Sequence, residues 1–234
     1  MELAFLKCRR LPHILKPTLH PAVACRTPKT QNWQTAAPKR LYDIQAIPMI
    51  LARFRRNSQA RTIHALYGAI VAQARSPAFY ADYRVPDTVE GRFDLIVLHL
   101  VLLLNRLGRR AEASRDLGQA LLGQELFDLF CRDLDANLRE MGVGDLAVPK
   151  RMQAFAEAFY GRQAVYLAAL DGADERVFEK ALARNIFAAG NEAGAAQLAR
   201  YARAAVTSLD AQDDSALVGG DVVFPSPEAF AQRR

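Results

Sequence analysis

Cysteine is scarce in this chain: Cys8, Cys25 and Cys131 are all it has. An odd, sparse set excludes a disulfide framework and a cysteine-based zinc site, and it points to a reducing compartment. Long apolar runs are missing as well. The longest uncharged stretch of the apolar centre, Leu95 to Asn105, is closed by Asp94 and Arg106 and contains His99. A bilayer-crossing helix needs about 20 apolar residues, so this stretch reads as a buried core helix. Catalytic motifs are equally absent. There is no phosphate-cradling glycine loop, no GxSxG elbow and no HExxH. Gly142-x-Gly144 lacks a third glycine and follows a helical pattern, which excludes a dinucleotide fingerprint. His64 and His99 are the only histidines beyond residue 48. Neither has Cys, Asp or Glu at ligand spacing, and both are expected as core or near-core residues. Metal and cofactor sites are not expected.

Basic charge is missing from most of the chain. The 234 residues carry a net charge of +6, but residues 1–48 hold eight Lys/Arg against two acids. Residues 49–234 hold 23 of each sign and are neutral. A DNA-binding domain is basic in its folded part, so DNA is excluded as a partner. Residues 1–48 also hold six of the eleven prolines and no glycine. Prolines at that density forbid a continuous helix. A secretory signal needs an apolar run of about 7–15 residues, and none is present. The segment is expected to be a disordered leader or an upstream extension, with Met49 as a credible start.

What remains is rich in Ala and Leu, and strand-type alternation is absent. Ile63, Leu66, Tyr67, Ile70, Val71 and Ala74 share one helical face. Asn57 or Ser58 is a possible cap, and Pro77 closes that helix. Asp87 or Thr88 opens a second helix, with Phe93, Ile96, Val97, Leu100, Leu103, Leu104 and Leu107 inward and Gly108 as its stop. Being apolar all round at its centre, it should lie in the middle of the domain. A third runs from about Ala111 to Met141, with Leu117, Leu121, Phe127, Phe130, Leu134, Leu138 and Met141 inward and Gly142 as C-cap. Pro149 begins a fourth, carrying Met152, Phe155, Phe159, Tyr166 and Leu170. The fifth, about 174–188, turns Val177, Phe178, Ala181 and Leu182 inward. The sixth, about 191–209, is capped by Asn191. The expected fold is all-α, a single globular domain of about six helices over 49–209, followed by a flexible tail at 210–234.

Three polar or aromatic features stand out. A dense constellation runs from Asp128 through Asp133, Asp135, Arg139 and Glu140 to Asp145, Lys150 and Arg151; a solvated helical face accounts for it from spacing alone. Arg53, Arg55, Arg56 and Arg61 form a run without an interleaved acid, suited to ribosomal RNA or an anionic membrane surface. Phe79, Tyr80 and Tyr83 fall between helices, where aromatics either plug a core or present a binding patch.

Several motifs in order resemble one family. Leu66-Tyr67-Gly68-Ala69-Ile70-Val71-Ala72-Gln73-Ala74-Arg75 with Phe79-Tyr80, then Val85-Pro86-Asp87-Thr88, Gly91-Arg92-Phe93-Asp94 and His99, are similar to the opening of the ubiquinol–cytochrome c chaperone family. The most specific piece is Asp135-Ala136-Asn137-Leu138-Arg139-Glu140-Met141-Gly142-Val143-Gly144-Asp145, continuing through Val148-Pro149-Lys150-Arg151-Met152 to Phe159-Tyr160-Gly161-Arg162. The resemblance spans roughly residues 57–190. It implies an assembly chaperone for complex III that binds newly made cytochrome b or its nascent chain, with a small partner factor, near the ribosome and peripheral to the inner membrane. It implies a cytoplasmic protein in a bacterium, or one at the mitochondrial inner membrane and matrix in a eukaryote. Arg139, Glu140, Asp145, Lys150, Arg151, Tyr160 and Arg162 fall in the signature and become candidate client contacts.

Two other classes compete with a non-enzymatic chaperone. A general helical interaction module would bind a helical partner in an apolar groove. A helical enzyme acting on an isoprenoid or haem-related substrate would need an acidic metal-binding pair. The helices lack a DDxxD motif, and Asp213-Asp214 falls in the expected tail.

Overall fold

A glycine expected to stop a helix does not stop it. In the computed structural model, which describes residues 46–114, 117–172, 174–188 and 190–231 and side chains from Gln59 onward, Gly108 lies inside the helix Val89–Ser114. A glycine in a helix interior costs only about 1 kcal/mol, and Arg109 on the next residue grips Asp210 at 2.6 Å. The described helices are α1 (Ala46–Ala74), α2 (Pro77–Ala81), α3 (Val89–Ser114), α4 (Leu117–Glu140), α5 (Val148–Asp171), α6 (Glu175–Ile186), α7 (Glu192–Ala211) and α8 (Asp214–Gly219). A 3-10 turn, Pro227–Phe230, follows. Among the described residues there is no strand. Six of these helices correspond to the six expected from periodicity, with α1 running straight through Met49, Asn57 and Ser58.

The central position of α3 follows from its sequence. Leu95, Val97, Leu98 and the run Leu100–Leu103 are all buried, so the helix is covered on every side. It packs against α1, α4, α5, α6 and α7. Thr88 caps it, its hydroxyl accepting from the Gly91 N–H at 3.1 Å, while Asp87 instead binds Arg92 at 2.6 Å. Small residues let α7 come close: Ala195, Ala199, Ala202 and Ala205 are buried against the same core. Asn191 caps α7 by accepting from Gly194 N at 3.0 Å, as its position in the sequence predicts.

Helix α4 is covered by α1, α3 and α5 and leaves its other face to solvent. Its buried stripe is Leu122, Leu126, Phe130 and Leu138. Leu121, expected inward, therefore faces solvent, and Met141 does so because it lies past the last helical residue. Val177 on α6 is exposed too, beside the buried Phe178. The aromatic connection resolves in favour of the core, with Phe79 and Tyr83 fully buried and Tyr80 partly so.

The segment expected to be a flexible tail is built into the domain. Leu217, Phe224 and Pro227 are buried and Phe230 packs on the core. The fully buried Arg106 of α3 fastens its beginning: Nε donates to Leu209 O at 2.8 Å, and Nη2 to Gln212 O at 2.8 Å and Asp214 Oδ1 at 2.7 Å. A guanidinium there also meets the negative end of the α7 dipole.

Candidate partner-binding surface

Five of the signature residues, Arg139, Glu140, Asp145, Lys150 and Arg151, lie at the corner between α4 and α5, while Tyr160 and Arg162 sit about three to four turns farther along α5. Gly142 has φ +78°, where a side chain is strained. The turn closes with Gly142 N donating to Arg139 O at 2.9 Å and Val143 N to Leu138 O at 3.0 Å, a Schellman motif. Gly144 O then accepts from Ala147 N at 2.7 Å, and the buried Val148 plugs the corner ahead of Pro149.

Charges around this corner divide into two groups. Arg139 bridges two acids, with Nε to Asp135 at 2.7 Å and Nη1 to Asp145 at 2.6 Å, spanning the helix end and the loop. Its guanidinium is nevertheless about half exposed. Glu140, Lys150 and Arg151 are exposed. Beside them in the chain lie apolar groups open to water: Leu146 is 92% exposed and Met141 65%. Tyr160, 51% exposed, stands apart from them, about 15 Å farther along α5 than Lys150. Isolated surface leucines need no explanation, but two large apolar side chains among charged residues at one helix corner do.

Tyr160 marks one edge of an aromatic cluster that fills the space between α4 and α5. Its ring lies 5.9 Å from Phe127 and 5.6 Å from Phe159. Phe93, Phe130 and Phe155 complete the cluster, with Phe93–Phe155 at 5.6 Å and Phe130–Phe155 at 5.4 Å. Phe130 and Phe159 are buried, whereas Phe93, Phe127 and Phe155 are only partly covered. Burial pushes the Tyr160 phenol up, and Cys131 and Asp128 on α4 add to that.

Arg162 behaves differently from its neighbours. It is half-buried and salt-bridged to Asp94 of α3, which is only 12% exposed. Burial raises the Asp94 carboxyl and the Arg162 charge opposes it. The two residues come from separate signature motifs, 68 positions apart, and nothing local in the sequence announces the pair. Its geometry is that of a brace between α3 and α5.

The remaining candidates disperse. Arg61 is exposed on α1, and the side chains of Arg53, Arg55 and Arg56 lie outside the described residues. His64, expected in or near the core, is exposed because α1 turns Ile63 and Leu66 inward instead. His99 is fully buried and held neutral by burial, its pKa pushed down to about 4. Its Nδ1–H donates to Leu95 O at 2.7 Å, so Nε2 accepts from the Tyr201 hydroxyl at 2.8 Å. Tyr201 in turn accepts from Gln73 Nε2 at 2.9 Å. Between α1 and α4 an open groove of about 580 Å³ is lined by Gln59, Ile63, Glu125, Asp128, Cys131 and Arg132. Burial raises the Cys131 thiol, aided by Asp128, which disfavours a thiolate there. Among the described residues no group of three His, Cys, Asp or Glu could hold a metal ion.

This all-helical domain is similar to a solved structure, the Cbp3 homolog from Brucella abortus. The match has a TM-score of 0.69 and 36% sequence identity, and covers 77% of this chain and 98% of that one. Residues 81–224 match the ubiquinol–cytochrome C chaperone family. The chain belongs to that family and is a chaperone of complex III, the ubiquinol–cytochrome c reductase. Among curated protein sequences none matches it. The family match reaches Phe224, so it takes in α8 and the first part of the C-terminal segment that packs on the core.

Proposed function

We propose that this chaperone binds newly made cytochrome b through the α4–α5 corner and holds it until its complex III partners arrive. The observation that carries the reading is the exposure of Met141 and Leu146 among Glu140, Lys150 and Arg151, with the half-exposed Tyr160 farther along α5. An apolar centre with a charged rim suits the end of a transmembrane segment, where apolar residues give way to charged ones. Arg139 and Asp145 set the loop that carries Leu146, and Arg162 acts one layer below as a brace. Binding, without turnover of a small molecule, is the activity. Among the described residues no helix is long and apolar enough to cross a membrane. We place the protein peripherally at the inner membrane, with the α1 arginines toward the ribosome or anionic lipid and a small assembly factor as a second partner.

The test is a photo-cross-linking residue at position 146 or 160 in cells making cytochrome b. An adduct containing cytochrome b is expected from both positions, and restoring the gene to a deletion strain should restore the b- and c-type signals of complex III. Cross-links to a soluble partner alone, with complex III spectra unchanged by deletion, would favour a general helical interaction module.

A further inference from the structure

Residues 221–231 lie along the domain as a peptide lies in a groove. The carbonyls of Val223, Pro225 and Pro227 each meet a side-chain donor: Gln212 Nε2 at 2.8 Å, Gln73 Nε2 at 2.9 Å and the Tyr83 hydroxyl at 2.7 Å. These are alternate residues, the spacing at which extended backbone turns its carbonyls the same way. Gln212 Oε1 also accepts the Val223 N–H at 2.9 Å, so one amide engages both main-chain groups of one residue. A neighbouring strand would do the same. Pro225 and Pro227 carry no N–H, so no donor is left unpaired at those two positions. Four side chains are seated, with Pro227 buried and Val222 packed on the core. Phe224 is buried with its ring 5.2 Å from His99, edge to face, and the Phe230 ring lies 6.1 Å from Tyr201.

The groove is organised independently of what fills it. Gln73, Tyr201, His99 and Leu95 O form a continuous hydrogen-bonded chain below the peptide. That chain stays paired if the segment leaves, and a preorganised floor is what a binding site needs. Every hydrogen bond to the segment's backbone is insensitive to its side chains; the seats of Val222, Phe224, Pro227 and Phe230 select sequence.

We infer that this groove, walled by α1, α3 and α7, is a peptide-binding site holding the chain's own residues 221–231 as a resident plug. Its ligand class is a segment of an incompletely folded protein that runs extended to the 226 register and then makes one 3-10 turn, with aromatic residues at the 224 and 230 registers. Proline is accepted at the registers of 225 and 227. Short tethering gives the plug an effective concentration in the millimolar range, so an external segment enters only when it outcompetes the plug or when the plug is weakened.

The test uses the full chain and a fluorescein-labelled synthetic peptide of residues 220–232. Phe224→Ala in the chain weakens the plug, and the labelled peptide is expected to bind that variant at least tenfold more tightly than the wild type. The same substitution in the peptide should erase the gain. A folded Phe224→Ala chain that binds the peptide no better than wild type would overturn the inference. Should that variant not fold, hydrogen exchange on the wild-type chain decides. Amides of 221–231 exchanging at least a hundredfold faster than those of α7 would support a displaceable plug. Exchange in step with α7 would make the segment ordinary core and sink the idea.

Discussion

The two halves of this domain bury different things. Around α3 and α7 the polar groups are inside: Arg106, His99 and Tyr201 are essentially inaccessible, and each has hydrogen-bonding partners. Around the α4–α5 corner the polar groups are outside and the partly covered aromatics look toward water. Buried polar groups are costly to leave unpaired, so the partners of Arg106, His99 and Tyr201 constrain this half closely, although Arg106 Nη1, Gln197 Nε2 and Arg203 Nε find none. The second half has few such constraints and leaves side chains free for a partner. The densest interior polar network and the proposed cytochrome b contact thus fall in different parts of one core.

The comparison breaks most visibly at Arg106. Arg106→Ala should cost about 3–5 kcal/mol in a urea titration, because Leu209 O, Gln212 O and Asp214 all lose a buried partner. A loss below about 1 kcal/mol would mean that the dense half is not held by its interior polar groups.

His99 supplies a pH dependence with a definite sign. The imidazole has a lower pKa folded, about 4, than the ordinary 6.5 of an unfolded chain. The unfolded state therefore takes up the proton first. Its contribution is complete above pH 6.5 and falls by about 3 kcal/mol as pH drops to 4. The slope of stability against pH across that window should flatten in His99→Gln, and an unchanged slope would contradict the assignment.

Arg162 and Lys150 sharpen the contrast, since both belong to the signature and only one is braced. Arg162→Ala should lower stability by about 1–2 kcal/mol, allowing for its partial exposure, while client capture by the folded fraction is kept. Lys150→Ala should change stability by less than about 0.5 kcal/mol and reduce cross-linking to cytochrome b. Reversal of the two patterns would exchange their roles. The smallest effect is expected at Arg139→Ala, with no measurable shift in the denaturation midpoint and a looser loop at Leu146 seen by hydrogen exchange.

Much of the fold is written in local signals. The period of α1, α3 and α7, the Asn191 cap, Pro149 at a helix start and Gly142 past a helix end are properties of a few adjacent residues, and the structure has each of them. The C-terminal segment was not legible for the same reason. Its acids, Gly219-Gly220 and Pro225-Ser226-Pro227 look like a tail because side chains elsewhere, Gln73, Tyr83 and Gln212, grip its main chain. Main-chain recognition leaves no periodicity in the segment recognised. The Asp94–Arg162 brace was hidden in the same way, each residue looking like surface charge until α3 and α5 bring them together. Gly108 misled in the opposite direction, since a helix stop needs more than the presence of glycine. The corner itself was half legible: its residues form one cluster, but the division between exposed Lys150 and braced Arg162 depends on packing.

The burial of α3 on all sides also sets an order of events during synthesis. This most apolar helix is made early, yet α7 and the strap beyond it, which cover its inner face, are the last described parts of the chain to be added. A growing chain halted before Glu192 has His99 and Arg106 made and their α7 partners Tyr201 and Leu209 missing. This chaperone is thus itself incompletely buried until α7 and the segment after it are made, and α3 is covered last from that side.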